Sequence, residues 1–310
     1  MRGRMRIRKP LDVVVAVGVL LFSALQARAA DIEPRSYANT PVGINFLLAG
    51  YAYTDGGLST PGSSPIRDAK LKMHSGVIAY ARSLNVWGKS GKVDIILPYS
   101  RLTGSAIFEG QKREREVSGF HDPRFRFSVN FYGAPALSLE EFADYQQDLI
   151  LGASVQVSAP LGQYSDDRLV NFGNNRWFVK PDIGISKAWG PLTLELSTGV
   201  FFVSKNSDYL GGKTLEQDPL SSTQVHVEFN FGRGVWAAVS YTYDYGGRTT
   251  VDGEKSGDRE ENSRAGFTLA LPVNRNNSVK LFASTSLHTS QGTNFNLGGI
   301  LWQYRWGGGL

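Results

Sequence analysis

The sequence predicts an all-β chain that closes into an antiparallel transmembrane β-barrel of about 12 strands. Three observations carry this expectation: a repeated period-two alternation, connections that alternate between short and long, and aromatic residues gathered at both strand ends. Helical periodicity is nearly absent, and no window beyond the N-terminal segment offers 18 consecutive apolar residues.

The chain begins with Arg2, Arg4, Arg6, Arg8 and Lys9, followed by a 13-residue apolar run from Val13 to Leu25 and the small-residue pattern Ala27-Arg28-Ala29. Residues 1–29 therefore read as a secretory signal peptide, because the apolar run falls short of the roughly 20 residues a spanning helix needs. These residues also hold the whole charge excess: the formal charge is +5, yet 27 basic and 27 acidic residues remain once the segment is removed. A nucleic-acid partner loses its motive with that balance. The absence of cysteine removes thiolate metal sites, iron-sulfur clusters and cysteine nucleophiles. Residues 30–41 either enter the barrel as a plug or tether its first strand from the periplasm, and the barrel itself is expected over 42–310.

Twelve segments alternate in the manner of half-buried strands, namely 42–53, 69–84, 91–101, 123–132, 148–160, 176–188, 191–203, 222–231, 234–245, 263–272, 277–288 and 295–306. Residues 192–203 are typical: Leu192, Leu194, Leu196, Val200 and Phe202 share one face, while Thr193, Glu195, Ser197 and Gly199 share the other. The same split places Phe125, Phe127, Val129 and Phe131 opposite Arg124, Arg126, Ser128 and Asn130. Between the segments, 54–68, 102–122, 161–175, 204–221 and 246–262 are long, whereas 85–90, 189–190, 232–233 and 273–276 are short. Only 133–147 and 289–294 break the rhythm. Within 137–147, Ser138 and Glu141 are spaced as a capping box, which suggests a short helix. Inside lipid every backbone amide must be paired within the protein, so a sheet can span only by closing. With the short turns on the periplasmic side, Tyr99, Trp177, Tyr241 and Tyr243 form an outer aromatic belt, and Trp87, Trp189, Phe229, Phe231, Tyr304 and Trp306 an inner one.

Alternation then assigns the lumen. It places Lys70, Lys72, Arg82, Arg124, Arg126, Lys180, Arg264, Lys280 and Arg305 there against Asp94, Asp182, Glu195, Glu228 and Asp244, nine positive charges to five negative. A pore lined in this way favours anions weakly, whereas a salt-bridge network would plug it. The solute path is accordingly expected at Arg124, Arg126, Lys180, Asp182, Glu195, Glu228, Arg264, Lys280 and Arg305. Twelve strands lie between filled eight-stranded barrels and open porins, which suits a constricted path.

Other motifs carry less. Gly88-Lys89-Ser90 has Ser83 where a phosphate-binding loop needs its first glycine, so it reads as a turn. The acidic stretch 252–261 lacks the ligand spacing of a calcium loop. His74, His121, His226 and His288 do not share metal-ligand spacing, and neither metal nor cofactor is expected. His226 near Glu228 and His288 near Ser286 are candidates for a hydrolytic pair, since i and i+2 share a strand face.

Several stretches resemble the outer-membrane transporter-like family labelled "meta-pathway of phenol degradation". They are Asn39-Thr40-Pro41-Val42-Gly43, Gly119-Phe120-His121-Asp122-Pro123, Pro160-Leu161-Gly162-Gln163-Tyr164, and Asn174-Asn175-Arg176-Trp177 with Lys180-Pro181. His121 stands where the family form has glycine, and the chain ends in Gly307-Gly308-Gly309-Leu310 in place of a terminal aromatic residue. The resemblance implies an outer-membrane channel or transporter that admits aromatic or other hydrophobic growth substrates. Three functional readings follow. The first is passive uptake of small hydrophobic, aromatic or anionic solutes. The second is a closed barrel acting in structure or binding through loops 102–122 and 204–221, and the third a barrel hydrolase. The expected partners are outer-membrane lipids, a small-molecule solute and the barrel-assembly machinery.

Overall fold

The computed structural model describes residues 32–59, 66–108, 110–168 and 170–310. The expected signal peptide lies outside the described residues. Seventeen strands run in chain order as β1 (Ile44–Ser59), β2 (Ile66–Val86), β3 (Lys89–Phe108), β4 (Gln111–Phe120), β5 (Arg124–Tyr132), β6 (Leu149–Ser158), β7 (Phe178–Trp189), β8 (Leu192–Val203), β9 (Asn206–Tyr209), β10 (Lys213–Gln217), β11 (Leu220–Gly232), β12 (Val235–Gly246), β13 (Thr249–Val251), β14 (Glu254–Lys255), β15 (Glu260–Pro272), β16 (Asn277–Thr289) and β17 (Gly292–Gly307). The large sheet closes on itself: β1 pairs with both β2 and β17, and β2 pairs with β3. Strands β4 and β5 pair with the outer and inner halves of β3, so together they make one stave broken at residues 121–123. The result is a closed antiparallel barrel of 12 staves.

The outward faces carry the apolar alternation. Ile78, Ile95, Leu97, Phe125, Phe127, Ile183, Leu194, Val239, Phe267 and Ile300 are all exposed, as a lipid-facing band requires. Ten belt residues point the same way. Trp87 at one end and Trp177 at the other are exposed, and Trp302, Tyr304 and Trp306 stack in sequence along β17 with centroid separations of 6.1 and 5.5 Å.

Short turns define the periplasmic end. Trp87 and Gly88, with φ of 51° and 78°, form the two-residue turn between β2 and β3, and such a turn needs positive φ at both positions. The longer connection before β6 has its own task. Ser90 N–H donates to Ala134 O and Ala136 N–H to Gly88 O, which lays the segment along the rim, and Val42 N–H donates to Leu137 O. The capping box forms, with Glu141 N–H to Ser138 Oγ at 3.2 Å and Ser138 N–H to Glu141 Oε2 at 2.7 Å, but the helix is a single 3₁₀ turn over Glu141–Asp144.

The outer end departs from the expected loops. Strands β2 and β3 have 21 and 20 residues, about twice what spanning requires, and β3 turns directly into β4. The expected loop 102–122 is thus mostly a hairpin. Its alternation is disguised because the outward positions are charged, with Arg101 paired to Glu116 at 2.6 Å and Lys112 to Glu114 at 2.6 Å. The expected loops 204–221 and 246–262 supply a four-stranded sheet in the order β14-β13-β10-β9, packed through Tyr209, Leu215 and Val251. At 289–294 the connection is a tight turn between Thr289 and Gly292.

Leu196 lies near the middle of β8 on the lipid face. Leu196→Arg should destabilise the inserted barrel by about 2–4 kcal/mol in reversible folding into phospholipid vesicles, whereas Ser197→Arg on the opposite face should cost much less.

Candidate functional site

Directly opposed residues on neighbouring strands share a face, so the register identifies the lumen. Asp94 opposes Arg126, Arg126 opposes Gln156, and Gln156 opposes Lys180, while Ser154 opposes Asp182 and Glu195 opposes His226. One side of the lumen, built from β3, β5–β8 and β11, is therefore lined with charged and polar groups. Across from it, β1, β2, β16 and β17 present Phe46, Leu48, Val77, Ala79, Phe282 and Leu301, all half-buried. The barrel interior has two unlike walls.

A strand of chain lies against the charged wall. Residues 32–41 run inside the barrel, and their polar groups find wall partners one after another. Glu33 Oε2 receives Arg126 Nη1 at 2.5 Å, and Arg126 Nε donates to Asp94 Oδ2 at 3.1 Å. Arg35 N–H donates to Glu228 Oε1 at 3.0 Å. Ser36 N–H and Tyr37 N–H donate to the two oxygens of Glu195 at 3.0 and 3.3 Å. The Tyr37 hydroxyl donates to Asp182, and Asn130 Nδ2 donates to Tyr37 O at 3.1 Å. The wall is notched to receive the tyrosine. Gly152 and Gly184 face the lumen beneath its ring, and a Cβ on either would overlap ring carbons. Each contact removes an otherwise uncompensated buried charge or amide, which explains how five carboxylates and several cations coexist in this space.

Next to Tyr37, Arg126, Lys180 and Asp182 a cavity of about 30 Å³ remains, also lined by Gln156 and Gln224. That volume holds one or two water molecules.

Of the nine residues expected along the path, Arg124, Arg126, Lys180, Asp182, Glu195 and Glu228 come together on the charged wall. Lys180 Nζ lies 3.8 Å from Asp182 Oδ2 and 4.9 Å from the centroid of Phe201. Arg264 faces inward from β15 with its guanidinium 4.0 Å above Phe295, and Lys280 lies 5.7 Å from Trp236. Arg305 stands apart at the periplasmic rim, where its Nε donates to Arg275 O. Three further lumen expectations fail. Lys70, Lys72 and Arg82 are exposed on the outer face of β2, because its inward positions are taken by Leu71, Met73, Ala81 and Ser83. The inward-facing Leu71 and Met73 belong to a place where the lumen itself is apolar, so polarity alone assigns the wrong face there; Met73 packs with Leu102, Val117 and Phe172.

Sequence reasoning missed Lys92, which shares the inward face of β3 with Asp94 two residues later and was legible from that spacing. It also missed Glu33, Arg35 and Tyr37, whose partners are more than 90 residues away. The hydrolytic pairs do not assemble as expected. His226 Nδ1 meets Ser240 Oγ at 2.8 Å, while Glu228 is engaged by Arg35. A bulge between Ser263 and Arg264 shifts the register opposite residues 286–288, leaving His288 exposed and Ser286 Oγ bonded to Phe295 N–H.

Three motif segments meet at the outer rim. Asp122 accepts from Gly162 N–H at 2.9 Å and from Asn174 N–H at 2.7 Å, and His121 Nε2 bonds Ser100 Oγ at 2.7 Å while its ring packs on Phe172. Residues 119–123, 160–164 and 174–177, far apart in sequence, thus form one knot that closes the break between β4 and β5.

A closed barrel with an apolar outer band, two aromatic belts and a polar interior is an outer-membrane β-barrel of a Gram-negative cell. The chain belongs to the family described as "Putative MetA-pathway of phenol degradation", whose model matches residues 54–305. Its fold is similar to that of the COG4313 outer membrane channel from Pseudomonas putida F1, with a TM-score of 0.76 and 20% identity over 89% of this chain and 100% of that one. The β-domain of the Bordetella autotransporter BrkA is more distant, at a TM-score of 0.51 and 10% identity over 86% and 100% of the two chains. The translocator domain of the autotransporter NalP from Neisseria meningitidis also gives 0.51, at 9% identity over 87% and 91%. No curated protein matches the chain.

Gly184→Ala should fold but expel Tyr37 from its notch. Single-channel recording in planar bilayers should then show a severalfold rise in ion conductance, which Gly76→Ala, where an added Cβ meets nothing, should not produce.

Proposed function

We propose that the protein is a passive channel for small solutes that combine a hydrophobic or aromatic body with a polar or anionic group. The observation that carries this reading is the two-walled lumen. Phe46, Leu48, Phe282 and Leu301 offer an apolar surface to a ring, while Arg126, Lys180 and Lys92 stand across from it. The segment 32–41 narrows the space by binding mainly the charged wall, with further contacts at Trp236 and Gly266, so the solute moves between that segment and the apolar wall. A narrow path of this kind selects by shape and charge, as a wide sieve does not. Transport runs down the gradient without cofactor or energy coupling, and no reaction belongs to it. The barrel-assembly machinery would insert the chain.

Liposomes carrying the refolded mature protein should take up labelled benzoate and phenol in a saturable manner and well above glucose. A folded, heat-modifiable barrel with no uptake above empty liposomes overturns the channel and leaves a structural or binding role. The double replacement Arg126→Gln with Lys180→Gln should lower the benzoate-to-phenol uptake ratio, and Leu301→Glu on the apolar wall should lower phenol uptake. An unchanged ratio in the first variant removes Arg126 and Lys180 from the path.

A further inference from the structure

The outer surface of the barrel is charged unevenly. Residues 41–54, 69–93 and 262–310 contain no Asp or Glu, so the periplasmic halves of β16, β17, β1 and β2 form one stretch of wall without a carboxylate. Three arginines stand on it. Arg82 is exposed on the outward face of β2, opposite Asn45, which in turn opposes Trp306. Arg305 N–H donates to Asn276 O and its Nε to Arg275 O at 2.8 Å, which holds the turn between β16 and β17 against the end of β17, and Arg275 Nη2 reaches Gly309 O at 3.4 Å. Among the described residues no carboxylate pairs with Arg82, Arg275 or Arg305. Elsewhere on the outer surface Arg101 meets Glu116, Lys112 meets Glu114 and Lys187 meets Asp148. The rim segment that carries Glu140 and Glu141 does reach Gly309 through Leu139, but Glu141 is turned back to Ser138 N–H.

The arginines border a fixed aromatic surface. Trp302, Tyr304 and Trp306 stack within 19° of parallel, and Tyr80 reaches across β1 to Trp306 at 6.2 Å. Hydrogen bonds hold this surface in place: the Tyr80 hydroxyl donates to Asn45 Oδ1 at 2.7 Å, Asn45 Nδ2 to Trp306 O at 3.3 Å, and Trp302 Nε1 to Asn277 Oδ1 at 3.0 Å. Interfacial Trp and Tyr rings sit at the level of lipid head groups, so Arg82, in the same row, stands where lipid phosphates lie. We propose that Arg82, backed by Arg275 and Arg305, binds the phosphodiester of an anionic glycerophospholipid in the periplasmic leaflet, with the glycerol and first methylenes laid on the Trp302–Tyr304–Trp306 stack. A phosphodiester offers two free oxygens to the planar fork of a guanidinium. The head group must be anionic as a whole, because an ammonium beside the phosphate would face three cations with no carboxylate to receive it. The site depends on the barrel's place in the membrane and not on what crosses its lumen.

The test is lipid retention. The refolded mature barrel, passed through micelles holding equal amounts of dioleoyl phosphatidylglycerol, phosphatidylethanolamine and phosphatidylcholine and then repurified, should retain phosphatidylglycerol in preference to the other two when bound lipid is counted by mass spectrometry. Arg82→Gln should retain about fivefold less of it. Lys72→Gln, which removes an outward cation at the other end of the same strand, should retain as much as the wild type. Arg82→Lys keeps the charge without the fork and should fall below the wild type. Equal retention of the three lipids overturns the proposal, as does wild-type retention in Arg82→Gln, or in Arg82→Lys should the first variant fail to fold. Displacement of the lipid by excess inorganic phosphate would make this a site for the free anion and overturn the lipid assignment.

Discussion

Every feature of this protein rests on the need to pair each backbone amide away from water. In hydrocarbon an unpaired N–H or C=O costs several kcal/mol, so the sheet cannot end at an edge. Here β1 meets the last strand, β17, along sixteen opposed residues, and the ring has no open side. Once closure is imposed, the two faces of each strand receive different solvents. Outward side chains meet lipid, and inward ones share a narrow space that is neither lipid nor bulk water.

That narrow space sets its own rule. Charges that would be hydrated in a wide pore must here find partners within the protein, and the N-terminal segment supplies many of them. Glu33, Arg35 and the amides of residues 35–37 answer Arg126, Glu228 and Glu195 in turn. Neither the wall nor the segment is well satisfied alone. The opposite wall needs less such help, because Phe46, Leu48, Val77, Ala79, Phe282 and Leu301 make much of its inward face apolar.

The period of the side chains made the barrel legible. Two-residue alternation with polar residues inside is a local signal, and it located the staves and the belts and turned inward six residues that the structure gathers on the charged wall. It failed where local pattern and burial part company. On β2 the inward side is apolar at the top, so Lys70 and Lys72 were assigned to the lumen when Leu71 and Met73 occupy it. Charged hairpins beyond the membrane looked like loops because both alternating faces there meet water. The position of residues 32–41 depends on partners distant in sequence, and no period in ten residues encodes it.

The N-terminal segment touches β5, β7, β8, β11, β12 and β15 through Arg126, Asp182, Glu195, Glu228, Trp236 and Gly266, and is fixed at its base to the rim by Val42 and Gly43. Hydrogen-bonded ladders resist stretching around the ring but offer little resistance to flattening. A chord fastened at six points over more than half the circumference acts as a crossbeam, holding the cross-section round against lateral pressure from the bilayer.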